Sequence, residues 1–258
     1  MVQDKALINK FELLEDYFFG AISSKKYSIE KESVVYITDI DWCHFRMFLQ
    51  RHQHDNPKAA IGNLQELFAK NHIEHWVYVV PEKFHTLTLQ NTLLEMGFNF
   101  EEQSTVMIYA FAENKALDAQ NTLVIEYVNA DNLQWLKILQ EAFGGTDKTS
   151  KQYSNALISA SGNGVGMKHF IGLQNDKPVA AITLTFFGEC VRIDNVATHP
   201  DYQRLGYGSQ LVRFGLDLAS SRSIKYAFLE ASSKGLRVYK RLGFKEMFTN
   251  YIYNTNTI

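Results

Sequence analysis

Two glycines one residue apart, Gly206 and Gly208 in "QRLGYGSQL", stand where an apolar helical repeat begins. Each costs roughly 1 kcal/mol against alanine inside a helix, so the pair needs a reason. The first four N–H groups of a helix have no acceptor within it. They also carry the positive end of the helix dipole, which favours an anion by about 0.3–1 kcal/mol when exposed and up to ~2 kcal/mol when partly buried. Two missing side chains let a phosphate approach those groups. The stretch reads as a pyrophosphate cradle made mostly of backbone, which allows a chain of net charge -2 to hold a strongly anionic ligand. Two other phosphate motifs fail: there is no GxxxxGK[ST], and Ser209-Gln210-Leu211 closes a GxGxxG pattern early.

Other reactive residue types form weaker groups. His52, His54 and Asp55 cluster, and His72 and His75 are three apart, but no cysteine joins either group. They read as solvated loop residues, and no metal centre is expected. Cys43 and Cys190 form no CxxC, which suits a reducing cytoplasm. With a pI near 6.4 the chain lacks a broad basic face for nucleic acid. No run of 18 apolar residues marks a membrane helix, and no apolar stretch after "MVQDKALINK" marks a signal peptide.

The elements that must position the cradle follow from periodicity. In residues 4–22, Leu7, Phe11, Leu14, Phe18 and Ile22 make one helical stripe. "SVVYITDI" reads as a strand, residues 59–72 as a helix, "HWVYVV" as a buried strand, "FHTLTLQNTLLEMGF" as a helix up to Gly97, and "STVMIYAF" as a strand. Residues 112–121 break the pattern and read as a linker. Beyond it come strand "TLVIEYV", helix "ADNLQWLKILQEAF" capped by Asp131, a short helix in "KQYSNALISA", and two strands around the turn "NDKP". Strand "CVRIDNVAT", helix 206–220, strand "IKYAFLEA", helix "SKGLRVYKRL" and a final pair of strands in "FKEMFTNYIYNT" complete an α+β, or mixed α/β, plan.

The halves echo each other. Gly62 and Gly208 are 208−62 = 146 positions apart, as are Gly97-Phe98 and Gly243-Phe244 at 243−97 = 146. A duplicated module is expected. On that offset Gln203, Gly206, Gly208 and Tyr239 correspond to Pro57, Ala60, Gly62 and Leu93, which neither cradle a phosphate nor donate a proton.

"NVATHPDYQRLGYGSQLV" resembles the acetyl-coenzyme-A signature of the GNAT superfamily of N-acyltransferases, Q/R-x-x-G-x-G/A, matched in full by Gln203-Arg204-Leu205-Gly206-Tyr207-Gly208. "LEASSKGLRVYKRLGF" resembles the second signature of the same superfamily, and the likeness spans about residues 121–255. The resemblance implies a mixed, mostly antiparallel central sheet flanked by helices, as two related halves. It implies that Val196, Ala197 and Thr198 pair with the pantetheine amides, and that Gln203, Arg204, Leu205, Gly206, Tyr207, Gly208 and Ser209 hold the pyrophosphate. Strands 191–198 and 224–231 would splay to admit the thioester. Tyr239 would protonate the departing thiolate, whose free pKa is near 8.5. Asp194, on the face of Val196 and Thr198, is the first candidate for the base, ahead of Glu230 and Glu189. An asparagine usual in the family is replaced by Ser232, a further candidate coenzyme contact.

The expectation is an acetyl-CoA-dependent N-acetyltransferase in residues 121–258 with an amine acceptor and no metal. Residues 1–115 are expected to be a degenerate copy, or else a separate helix/strand domain, without a coenzyme site. A monomer with an internal pseudo-dimer, or else a homodimer, follows; the rival reading is an inactive coenzyme-A-binding module.

Overall fold

A computed structural model describes residues 4–30, 32–113 and 122–255. Most of the expected linker, residues 114–121, lies outside them; Phe111–Glu113 form a single 3-10 turn. The chain falls into two compact units, one of Met1–Ile22 and Val106–Met247, the other of Ser23–Thr105 and Phe248–Ile258.

In the larger unit, helix α1 (Lys5–Ile22) buries Phe11, Leu14, Phe18 and Ile22, four of the five residues in its stripe. Strand β6 (Val124–Val128) leads to α4 (Leu133–Phe143) and α5 (Asp147–Gly162). The cap of α4 is Asn132, whose Oδ1 accepts from the Trp135 amide at 2.9 Å, rather than Asp131. Helix α5 is longer than its apolar pattern suggested because Thr146 and Thr149 close a capping box before it. Strands β7 (Gly166–Gln174), β8 (Lys177–Phe187) and β9 (Cys190–Thr198) form an antiparallel meander. Helix α6 (Tyr207–Ser221), β10 (Tyr226–Ser232), α7 (Leu236–Arg241) and β11 (Lys245–Asn254) follow, the last one strand where two were expected.

The smaller unit holds β1 (Lys25–Ile29), β2 (Ser33–Ile37), β3 (Arg46–Leu49), α2 (Pro57–Lys70), β4 (Val77–Pro81), α3 (Leu87–Glu95) and part of β5 (Asn99–Ala110). Strands β1 and β3 escape the sequence pattern because one is a half-exposed edge and the other has four residues.

Both units carry a mostly antiparallel sheet that includes a parallel pair. The order is β6-β7-β8-β9-β10-β5-β11 in the larger and β1-β2-β3-β4-β11-β5 in the smaller. The parallel pairs are β9 with β10 and β3 with β4. In the larger unit the strand beside β10 is β5, not β11, which follows α7 in the chain; in the smaller it is β11 beside β4, not β5. The exchange is reciprocal, as duplication followed by strand exchange would leave it.

The repeat is sharpest at the helix ends. The Phe98 amide donates to the Leu93 carbonyl at 3.0 Å, and Phe244 to Tyr239 at 3.1 Å, after Gly97 and Gly243 at φ of 88° and 94°. The offset of 146 holds there and fails at the helix starts. Ala60 donates to Asn56 and Gln210 to Gly206, each at 3.1 Å, a spacing of 210−60 = 150. Gly62 therefore lies inside α2, and Asn56, not Ala60, occupies the place of Gly206.

Candidate active site

After β9 the chain makes a 3-10 turn, Pro200–Tyr202, capped by His199. The Gln203 amide is spent on the Pro200 carbonyl at 3.3 Å, and its side chain donates to Thr198 O at 3.4 Å. Arg204 and Gly206 then take left-handed φ of 66° and 84°, turning the chain into α6. The first amide of this helix to find a backbone acceptor is Gln210, bonded to Gly206. The amides of Tyr207, Gly208 and Ser209 lead out of the helix end, and the cap residue has no side chain to cover them. A Cβ on Gly208 would stand 3.4 Å from Thr198 Oγ1 and 3.7 Å from Val196 Cγ1, so the helix end sits directly on the strand end. Ala197 is buried on the opposite face, leaving only its backbone toward this side. Leu205 is exposed.

Strands β9 and β10 pair over three positions, from Cys190↔Tyr226 to Arg192↔Phe228. Both continue past that point without further ladder pairs between them, so the β10-facing backbone of residues 193–198 is open. On its other side β9 stays paired with β8, through a bulge where Ile182 opposes both Asn195 and Val196. Asn195 takes φ of 54° and aims Nδ2 at Tyr153 Oη (2.8 Å) and Thr183 Oγ1 (2.9 Å). Thr183 in turn meets His169 Nδ1 at 3.0 Å.

Beside the open edge stand Asp194 and Tyr239. Arg192 Nε donates to Asp194 Oδ1 at 2.9 Å and Oδ2 at 3.0 Å, and Nη2 meets Glu230 Oε2 at 3.4 Å. Burial pushes the Asp194 carboxyl above the usual range although Arg192 pulls it down; Glu230 adds a small upward push. The Tyr239 phenol is pushed up to about 12, by burial first and by the charge of Asp194 second. The same charge acts on the Tyr153 phenol, itself raised chiefly by burial. The charge of Asp194 is thus felt by both phenols, Tyr239 and Tyr153.

Other candidates fall elsewhere. Glu189 is committed to Lys10 and Lys225, which hold it down to about 2. The Ser232 carbonyl takes the Gly235 amide at 3.0 Å, with its hydroxyl 3.4 Å from that amide. His199 Nε2 meets Glu141 at 2.8 Å. His54 is buried rather than solvated, its ring 6.0 Å from that of Phe48. Among the described residues no group of three or more His, Cys, Asp or Glu could hold a metal, and no helix is long and apolar enough to cross a membrane. Tyr153, Asn195 and His169 escaped sequence reasoning; only the tolerance of asparagine for positive φ hinted at the bulge.

With a helix end seated on an opened strand pair in view, sequence comparison is decisive: residues 132–244 match the Acetyltransferase (GNAT) family. That segment is a GNAT acetyltransferase domain. No curated protein matches the chain. Solved structures match its fold. A conserved protein of unknown function from Staphylococcus epidermidis shares 14% identity over 92% of this chain and 96% of its own, with TM-score 0.74. A GCN5-related N-acetyltransferase from Kribbella flavida shares 15% over 95% of each chain, with TM-score 0.69. A tandem GNAT protein from the clavulanic acid biosynthesis pathway shares 10% over 88% of this chain and 79% of its own, with TM-score 0.59. These likenesses extend well beyond the GNAT segment, so the smaller unit is GNAT-like in fold as well.

The GNAT-like smaller unit fills the corresponding places differently. At the start of α2, Asn56 Oδ1 accepts from the Ala59 amide at 3.1 Å, and Pro57 supplies no N–H. Where the GNAT domain has Tyr239, this unit has the fully buried Leu93.

Proposed function

We propose that the protein is an acetyl-CoA-dependent N-acetyltransferase that moves the acetyl group directly to an amine. The observation that carries the reading is the coincidence of the uncovered α6 amides with the open edge of β9. Backbone groups of Val196, Ala197 and Thr198 take the pantetheine arm as an added strand. The amides from Arg204 to Ser209 take the pyrophosphate; that of Gln203, committed to Pro200, would first have to exchange partners, and Ser232 lies near enough in sequence to touch the thiol end.

The acceptor amine attacks the thioester carbonyl, forming the C–N bond as the C–S bond breaks. Asp194 accepts the amine proton, and Tyr239 donates to the sulfur as its charge develops. Pushed up to about 12, the phenol is protonated at neutral pH and can hydrogen-bond the sulfur as its charge develops; positioned general acids contribute about 10²–10⁴-fold. Cys190 is no nucleophile here: burial pushes its thiol up to about 11. The smaller unit binds no coenzyme; the assembly is a monomer with an internal pseudo-dimer, with a homodimer as the alternative. A reducing cytoplasm suits its two buried cysteines.

Calorimetric titration with acetyl-CoA tests this against Gly208→Asp. That variant is preferable to one at Gly206, where φ of 84° would strain any side chain. One site on the wild type, lost in the variant, supports the cradle. Absence of binding by folded wild-type protein refutes both the enzyme and an inactive coenzyme-A-binding module. Binding without transfer to any amine in a broad screen would favour that inactive module.

A further inference from the structure

The Arg192 side chain has a setting that acetyl transfer does not by itself explain. It is 3% exposed. Its Nε and Nη2 serve Asp194 and Glu230, while Nη1 is buried with no hydrogen-bond partner. In place of such a partner, three rings of α1 surround the guanidinium: Phe19, Phe18 and Phe11, with centroids 5.3, 5.6 and 5.7 Å from the central carbon. Helix α1 also brings Glu15, 6% exposed, whose charge acts on the same cation. These residues are over 170 positions from Arg192 in the chain, and they pack α1 on β8, β9 and α5.

We infer that Arg192, caged by the aromatic side chains of α1, is a positioning residue of the transfer site that orients Asp194 and keeps it an anion. The single Nε–H is shared between both carboxylate oxygens and centres the carboxylate on that donor. The cage stops the guanidinium from swinging toward water, and the planar group reaches Asp194 through Nε and Glu230 through Nη2 at once, which an ammonium would not do in one fixed plane. Charge supplies the second half of the argument. Three carboxylates, Asp194 of β9, Glu230 of β10 and Glu15 of α1, face one guanidinium, with the phenols of Tyr153 and Tyr239 also within reach of Asp194. Without the cation, three like charges in a desolvated place could not all stay ionised, and Asp194 would hold a proton when it should accept one.

The inference rests on the acetyl-transfer reading for its functional meaning, so its test has an arm free of transfer. In protein labelled with carbon-13 at the aspartate carboxyl carbons, the Asp194 resonance is assigned by its loss in Asp194→Asn. Its titration is followed in wild type, Arg192→Met and Arg192→Lys. The midpoint should rise by at least about one pH unit in Arg192→Met and recover in part in Arg192→Lys. The low-pH limb of kcat/KM should move up in step while KM for acetyl-CoA stays unchanged. If Arg192→Met lowers Tm but leaves the Asp194 titration where it was, Arg192 is only structural and the inference falls. Should that variant fail to fold, Phe19→Leu opens one wall of the cage and must raise the midpoint; an unmoved midpoint there overturns the inference too. If the titration shifts but the wild type transfers acetyl to no amine, it is the functional reading that fails and the pairing that stands.

Discussion

The ring of Tyr239 sits close over Gly235: a Cβ built on that glycine would stand 2.9 Å from Tyr239 Cε2. The glycine is one turn before the tyrosine and caps its helix, so its missing side chain sets where the phenol points. Gly235→Ala must push the ring aside. We expect kcat to fall at least tenfold with the affinity for acetyl-CoA intact, at a stability cost of about 1–3 kcal/mol. Steady-state kinetics beside calorimetry would check this, and unchanged turnover would mean the ring position is immaterial.

Tyr239→Phe keeps the ring and removes the proton. Turnover should drop by about 10²–10⁴-fold while binding survives. Full activity with an identified acceptor would show that the leaving thiolate needs no acid.

The phenol must be protonated and is pushed up to about 12, so Tyr239 causes no loss of kcat up to about pH 10.5. Asp194 must be ionised, so activity falls as pH drops through its raised value. A decline of kcat between pH 8 and 9 that Tyr239→Phe abolishes would contradict this assignment.

His169 makes stability pH-dependent. Burial lowers its pKa from 6.5 to about 4, so the unfolded chain binds the proton more tightly. The stability is fully present above pH 6.5 and is lost as pH falls toward 4, by at most about 3 kcal/mol. Urea melts between pH 4 and 7 should show this slope, and His169→Gln should flatten it.

Asn56→Ala removes the side-chain cap of α2. It should cost about 1 kcal/mol of stability and leave coenzyme affinity untouched, since the smaller unit is proposed to hold none. A change in acetyl-CoA affinity would give α2 a part in the site.

Much of this was legible in one dimension because the determinants are local. The proposed backbone cradle needs only Gly206 and Gly208 at a helix entrance, and the amphipathic stripe of α1 and the glycine-ended helices before Phe98 and Phe244 are written in consecutive residues. The mixed sheet and the doubling follow from the order of those elements. The register of the repeat was legible only in part, since loop lengths drift and cap geometry, not residue identity, showed that Asn56 matches Gly206. Two further matters rest on neighbours remote in the chain. Strand exchange of β5 and β11 depends on which edges find each other after folding, and no local pattern encodes that choice. The state of Asp194 depends on burial, on Arg192 and on rings from α1 more than 170 positions away; a carboxylate's chemistry is set by the charges and the dielectric around it, and those exist only in the folded protein.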